Sequence, residues 1–329
     1  MSFSSRGSLQ PAKSISGNAM RVVIYGAGGI GGVLGARLLS GGMDIVFIAR
    51  GSHLEAMKQR GLRLESRSGE IVFSPVVATD DPAEVGVADV IFVCVKAWEV
   101  EHSIEPLRLM LGPDTIVIPL QNWVEAADIL ASRLGGGHVL GGICHSRSRL
   151  VAPGVIQSDG DTMKITLGEL AGGCAAAAET LQKFAGSPPG LRFETRTNIK
   201  RHMWIKFAWV SSFGAIGSLA KASLGEWRKN PQMRSLCKIL LREACAVAKA
   251  SGVPLGWWMP FRFARSITKG DPGYKSSMQL DHEAGRRSEL PYQLGTIVRL
   301  GGTLGVPVPR SAEVYERLMA LEEAFPNRP

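Results

Sequence analysis

Residues Arg21–Gly35 read RVVIYGAGGIGGVLG, and this stretch decides the fold. Arg21 to Tyr25 is a short β-branched run with the composition of a buried strand. It leads into Gly26-Ala27-Gly28-Gly29-Ile30-Gly31 and then into an apolar helical pattern at Val33, Leu34, Leu38 and Leu39. Strand, glycine-rich turn and helix follow in the order of a dinucleotide-binding βαβ unit. Gly26 permits a tight turn that a Cβ would block, and Gly28 lets the backbone approach a pyrophosphate. Gly31 lets the helix pack close to the strand, and the helix N-terminus offers unpaired N–H groups to the phosphates. The whole turn, Gly26 to Gly31, is therefore the candidate cofactor-binding segment. The bland alternative for an isolated GxGxxG is a flexible turn, but here both flanking elements are present.

The next strand is predicted at Asp44 to Ala49 (DIVFIA), ending in Arg50-Gly51-Ser52. A site that prefers NAD places Asp or Glu at this strand end to accept from the ribose 2′-hydroxyl. No carboxylate is offered here. Arg50 supplies a guanidinium where the 2′-phosphate of NADP would lie, and its forked donors suit a phosphate better than lysine does. The expected cofactor is NADP(H). The competing account of Arg50 is a solvated surface arginine.

The 329 residues suffice for two domains of ordinary size. No apolar stretch is long enough to cross a bilayer, so no membrane role is expected. The net charge of +9 raises a nucleic-acid reading, but the basic residues are scattered and form no block or basic–aromatic array. Anionic cofactor and substrate give that charge another use. Cys94, Cys144, Cys174, Cys237 and Cys245 show neither CxxC nor metal spacing, and the six histidines form no HxxxH pair, so no metal site is expected. An odd, scattered cysteine set fits a reducing compartment, and the chain reads as cytoplasmic. Residues 1–19 are Ser-rich, polar and without the apolar core of a secretory signal. They read as a disordered leader, or as upstream of a true start at Met20. A transit peptide is the lesser alternative.

Downstream, a strand is predicted within Val72 to Ala78, a short helix or turn at Asp80-Asp81-Pro82, and a strong buried strand at Asp89 to Val95 that ends at Lys96. Thr115 to Pro119 is another strand, followed by Leu120-Gln121-Asn122. Ligands of a doubly wound sheet bind at the C-terminal strand ends, which singles out Lys96 and Asn122. The alternatives are a surface lysine and a turn-forming asparagine. Residues 139–170 hold alternating runs around Pro153-Gly154 and are expected to form hairpin strands extending the sheet. From Asn198 the pattern turns helical. Asn198 to Leu224 is too apolar for an exposed helix and should be the core of a second, all-helical domain, with Pro188-Pro189-Gly190 as the connection. The expected divisions are 1–19, 20–196 and 197–329.

Lys206 sits in Trp204-Ile205-Lys206-Phe207-Ala208-Trp209. It either snorkels to the surface or is held partly desolvated as a proton donor to a substrate oxygen. Ser277 and Asp281, four apart, share a helix face. Ser288-Glu289-Leu290-Pro291 reads as a helix start, with Ser288 as cap and Glu289 in the first turn, where the helix dipole would keep it ionised. Ordinary capping explains the same residues.

Taken together, these segments resemble the ketopantoate reductase (2-dehydropantoate 2-reductase) family from Met20 to about Pro309. The resemblance rests on GAGGIGG, IAR, VCVKAW, PLQN, the PG and LGE segment, NIK..MWIK, SSM..D and GVPVP. It implies an α/β protein: an N-terminal Rossmann doubly wound sheet, then a C-terminal all-α domain like that of 6-phosphogluconate dehydrogenase, with the active site between them. It implies that Lys206 protonates the ketone oxygen as NADPH delivers hydride to C2, and that Glu289 positions that lysine and the substrate. It places Asn122 and Lys96 near the nicotinamide and the reacting carbonyl, and Ser277 at the substrate carboxylate, with Asp281 beside it. A monomer or homodimer is implied.

Three positions depart from the family pattern. Where the family has asparagines four and eight residues after the lysine, this chain has Val210 and Gly214. Asn122 is followed by Trp123 rather than Gly, a large side chain expected close to the cofactor cleft. The family asparagines contact the substrate, including its hydroxyl end. Sites that hydrogen-bond a hydroxyl discriminate by roughly 10⁴-fold, while apolar pockets do not. The expected reaction is NADPH-dependent reduction of a 2-oxo acid to a 2-hydroxy acid. 2-Dehydropantoate, in pantothenate biosynthesis, is the named candidate, and a less polar 2-oxo acid or an imine the alternative. A non-enzymatic NADP(H) sensor would need none of Lys206, Ser277 and Glu289.

Overall fold

The computed structural model describes residues 20–182, 184 and 190–325. The expected leader at 1–19 and Pro188-Pro189 of the expected connection lie outside the described residues. The chain opens with strand β1 (Arg21–Tyr25), helix α1 (Gly29–Ser40), β2 (Asp44–Ile48) and α2 (Gly51–Arg60). Then come β3 (Leu62–Ser66), β4 (Gly69–Phe73), β5 (Val77–Thr79), β6 (Val90–Val93), α3 (Ile104–Arg108), β7 (Ile116–Pro119) and α4 (Ala126–Leu134). The central sheet runs β5-β2-β1-β6-β7, and all its pairings are parallel. Its strands are near-continuous apolar runs because both faces are covered. Val22 and Ile24 join the core under α1, while Val23 and Tyr25 join the core under α3 and α4. This is the expected Rossmann arrangement.

The remaining strands are β8 (Leu140–His145), β9 (Ser148–Ala152), β10 (Val155–Ser158), β11 (Met163–Glu169) and β12 (Leu191–Thr195), with α5 (Ala175–Gln182) before β12. They correct the expectation of hairpins extending the main sheet. β9 and β10 do form a hairpin about Pro153-Gly154, but β10 pairs with β3 in a second sheet, β4-β3-β10-β9. β8 belongs to a third sheet, β12-β11-β8, and meets β7 through a bridge between Val117 and Val139. The expected strand across Val72 to Ala78 is likewise two strands. β4 ends before Ser74-Pro75, and β5 begins after it in a different sheet. Proline offers no N–H to a ladder, which suits it to the break.

The second half is helical: α6 (Ile199–Ala220), α7 (Leu224–Trp227), α8 (Pro231–Ala250), α9 (Met259–Lys269), α10 (Ser277–Glu283), α11 (Leu294–Leu304) and α12 (Pro309–Glu323). Asn198 caps α6 by accepting from the Arg201 N–H at 3.2 Å. Ile199 and Met203, at the start of α6, pack into the core of the sheet half. Phe207, Ala208, Phe213 and Ile216 pack with Leu240, Leu241 and Leu318 in the helical core. One helix is thus rooted in both halves, and Lys206 lies between its two contact regions.

Candidate active site

The turn after β1 is built for a close backbone approach. Gly26 has φ +103°, a region that side chains avoid, and its N–H donates to the Ile48 carbonyl at 3.0 Å. A Cβ on Gly31 would overlap the Gly26 carbonyl oxygen, so only glycine lets α1 start so near β1. Gly28 is the N-cap of α1 and supplies no capping side chain, and a Cβ there would meet nothing within 4 Å. Gly28, Gly29 and Ile30 bring the N-terminus of α1 to the cleft, with the helix dipole behind it, a cradle that fits a pyrophosphate. Ala27 is buried, and His53 braces it: Nε2 donates to the Ala27 carbonyl at 2.9 Å, while Nδ1 accepts from the Gly154 N–H at 2.9 Å. Sequence reasoning missed His53, whose partner Gly154 lies in the second sheet.

This turn forms one wall of a cleft of about 1260 Å³ between the two halves. Gly26, Gly28, Gly29, Ile30, Lys96 and Asn122 line it, and Lys206, Val210, Ser277 and Glu289 line it from the helical side. Sheet topology brings Lys96 and Asn122 together, since β6 and β7 are neighbours that end at the same level. Gln121 holds the Asn122 loop, its Nε2 donating to the Val93 carbonyl at 3.0 Å and the Val95 carbonyl at 2.9 Å. Arg50 stands just beyond β2 as the N-cap of α2, with Nη1 3.6 Å from Glu99 Oε2.

Lys206 projects from the second turn of α6, and its Nζ donates to the Cys144 carbonyl at the end of β8. Burial pushes the ammonium below the ordinary lysine range of 10.5, and the neighbouring Glu289 carboxylate opposes that fall. Burial raises the Cys144 thiol itself to about 11, so it stays protonated. Glu289 is 9 % exposed, and its Oε1 accepts the Ala97 N–H at 2.9 Å, a bond from the helical half to the residue after Lys96. Ser288 and Glu289 do not open a regular α-helix as expected. Glu289 is the N-cap of a single 3₁₀ turn, Leu290–Tyr292, with Pro291 inside it. Ser288 accepts the Leu290 N–H at 3.1 Å and is itself anchored to buried Glu322, which also bonds His282 at 2.7 Å.

Several expected positions fall outside the cleft. Gly214 lies eight residues beyond Lys206, about 80° around the helix at 3.6 residues per turn. It faces Ser276 and Met278 of the α10 region instead. Asp281 shares a face with Ser277 but turns to cations: Lys96 Nζ at 3.2 Å and Arg286 Nη2 at 2.7 Å. Trp123 does not line the cleft itself but a small adjoining pocket shared with Asn122 and Lys206. It is buried, donates from Nε1 to Glu125 at 3.1 Å, and packs edge-on against Tyr292 with centroids 5.0 Å apart.

The cleft also holds residues that the sequence did not single out. His145, at the end of β8, is held to about 4 by desolvation and by the charges of Lys206 and Lys164, so it is neutral at ordinary pH. Arg147 reaches across from the sheet half to Asp271 at 2.8 Å. Trp209 and Tyr274 line the cleft beside Val210, with ring centroids 5.0 Å apart. No local pattern marks these residues, because distant elements bring them together. Among the described residues, no group of three or more His, Cys, Asp or Glu could hold a metal ion, and no helix is long and apolar enough to cross a membrane. All five cysteines are free. A partly desolvated ammonium opposite a nucleotide cradle can stabilise and protonate an oxyanion formed by hydride addition.

Comparison with known proteins agrees with this geometry. The family profile described as "Ketopantoate reductase PanE/ApbA" matches residues 22–172, and "Ketopantoate reductase PanE/ApbA C terminal" matches 198–322. A 2-dehydropantoate 2-reductase of Mesorhizobium japonicum is 29% identical over 313 residues, covering 88% of this chain and 94% of the relative. The crystal structure of a PanE/ApbA family ketopantoate reductase from Ralstonia eutropha superposes with a TM-score of 0.84 at 28% identity, covering 94% of this chain and all of that one. A D-mandelate dehydrogenase, solved with NADH and anilino(oxo)acetate, shares the fold with a TM-score of 0.84 at 23% identity, covering 93% of this chain and 99% of its own.

Proposed function

The chain belongs to the ketopantoate reductase family of NAD(P)H-dependent oxidoreductases acting on CH–OH groups, and from that premise we propose that it reduces a 2-oxo acid to a 2-hydroxy acid with NADPH. The observation that carries this reading is Lys206: a partly desolvated ammonium held by the Cys144 carbonyl, within electrostatic reach of Glu289, and lining the same cleft as the glycine turn. The bound nicotinamide supplies the hydride that adds to C2. Lys206 donates a proton to the resulting alkoxide and regains one from solvent, so the substrate gains a hydride and a proton in all. Glu289 keeps Lys206 charged and aimed. Ser277 binds the substrate carboxylate, and Asn122 holds the carbonyl end beside the nicotinamide. Gly26 to Gly31 holds the pyrophosphate, Lys96 flanks the cofactor, and Arg50 faces the 2′-phosphate.

The name shared by several relatives makes 2-dehydropantoate the first substrate to test. A second reading, a 2-oxo acid with an apolar side chain, is favoured by Val210, which lines the cleft one turn from Lys206 beside the Trp209 and Tyr274 rings where the family pattern has an asparagine. Steady-state NADPH oxidation with 2-dehydropantoate, beside branched and aromatic 2-oxo acids, separates the two. Higher kcat/KM for 2-dehydropantoate supports the first, and higher kcat/KM for a hydroxyl-free acid supports the second. Absence of turnover with NADPH still bound would refute a 2-oxo acid substrate and bring the imine and nucleotide-sensor readings to the front.

A further inference from the structure

Two opposite charges meet at the outer end of the cofactor wall. Glu99 follows Lys96 in the short helical turn Ala97–Glu99 and lines the cleft. Its Oε2 lies 3.6 Å from Arg50 Nη1, with the side chains 37% and 68% exposed respectively. Tyr25, the last residue of β1, completes the group. Burial raises its phenol pKa, Arg50 draws it down and Glu99 pushes it up, as expected when all three sit within electrostatic reach. Arg50 therefore does not stand as an isolated cation awaiting an anion.

We propose that Glu99 sets how strongly this chain discriminates between NADPH and NADH, by opposing Arg50. The inference rests on the reading above that Arg50 faces the 2′-phosphate. A ribose 2′-phosphate carries roughly −1.5 to −2 charges, as other phosphomonoesters do at neutral pH. To bind Arg50 it must displace or share the guanidinium with the Glu99 carboxylate, and it is repelled by that carboxylate at close range. A ribose 2′-hydroxyl carries no charge and meets neither penalty, and a carboxylate is the acceptor that NAD-preferring sites place in this region. One residue thus adds attraction for the phosphate and its neighbour subtracts from it. The preference for NADPH is narrower than Arg50 alone would give.

The test uses the full chain and fragments that carry no redox chemistry. Adenosine 2′,5′-bisphosphate and adenosine 5′-monophosphate are titrated calorimetrically into the wild type, Glu99→Gln and Arg50→Ala, with thermal midpoints as a folding control. Glu99→Gln is expected to tighten the bisphosphate about fivefold while moving the monophosphate less than about twofold, and the gain should shrink at high salt. Arg50→Ala is expected to weaken the bisphosphate about tenfold, as loss of a charge-assisted phosphate contact does. If Arg50→Ala weakens it but Glu99→Gln leaves it unchanged or weaker, Glu99 merely positions Arg50, and the proposal falls while the NADPH reading stands. If Arg50→Ala leaves the ratio of the two nucleotides unchanged, the NADPH reading itself fails at Arg50.

Discussion

The two walls of the cleft are built on different principles. The cofactor wall presents backbone: a left-handed glycine, an uncapped helix N-terminus and an open face at Gly28, all within six consecutive residues. The opposite wall presents side chains from α6, α10 and the turn after it, brought together only by packing. A backbone-built site depends on what is absent at a few positions. A side-chain-built site depends on what is present at many, and its specificity can drift while its chemistry persists. Lys206, Ser277 and Glu289 line this wall together, with Val210, Trp209 and Tyr274 among its larger hydrophobic and aromatic side chains.

The sharpest way to break this contrast is at the chemistry. Lys206→Ala should lower kcat by about 10²- to 10⁴-fold while NADPH still binds, which stopped-flow assay and titration would separate. Unchanged turnover would remove Lys206 from the reaction. A matched pair within the glycine turn comes next. Gly31→Ala forces a Cβ into the Gly26 carbonyl and should destabilise the protein by about 1–3 kcal/mol in chemical denaturation. Gly28→Ala should cost less than about 1 kcal/mol of stability yet weaken dinucleotide binding, because its Cβ points into the open cradle. Equal stability losses would contradict the division between packing and binding glycines. On the other wall, Val210→Asn should raise kcat/KM for hydroxyl-bearing 2-oxo acids relative to hydroxyl-free ones by about tenfold, one hydrogen bond's worth. No change in that ratio would place the substrate tail elsewhere.

The smallest expected effect is a displaced pH profile. Reduction needs Lys206 protonated, so activity falls as pH rises through its pKa, and burial sets that limb below the ordinary 10.5. Glu289 opposes the effect of burial. Glu289→Gln should therefore move the limb to still lower pH. A limb that stays put or moves upward would show that Glu289 does not set the charge of Lys206.

The same contrast explains what the sequence could tell. The β1–turn–α1 unit was legible because its constraints are contiguous: strand, glycine spacing and helix occupy fifteen residues. The ends of β6 and β7 were legible because parallel sheets collect ligands at those ends. The direction of Trp123 was not, since Tyr292, from the far half of the chain, decides it. Nor was the pairing of β10, whose partner β3 lies on the other side of the central strands in sequence. The Lys96–Asp281 pair was hidden for the same reason, and Asp281 looked like a substrate ligand because only its helix face could be read.

The glycines in the middle of α6 bear on a different property. Gly214 and Gly217 put no side chain between α6 and the α10 region. A Cβ at 217 would collide with the Gln279 amide, and one at 214 would crowd the Ser276 hydroxyl. Ser277, the exposed first residue of α10, stands between Ser276 and Met278, which are buried in this seam. The two glycines therefore act as a gauge block behind the jaw, fixing how far Ser277 stands from Lys206 on the near side of the same helix. An asparagine at 214 would add bulk to that seam and widen the jaw from behind, changing which substrates reach the lysine without touching any of them.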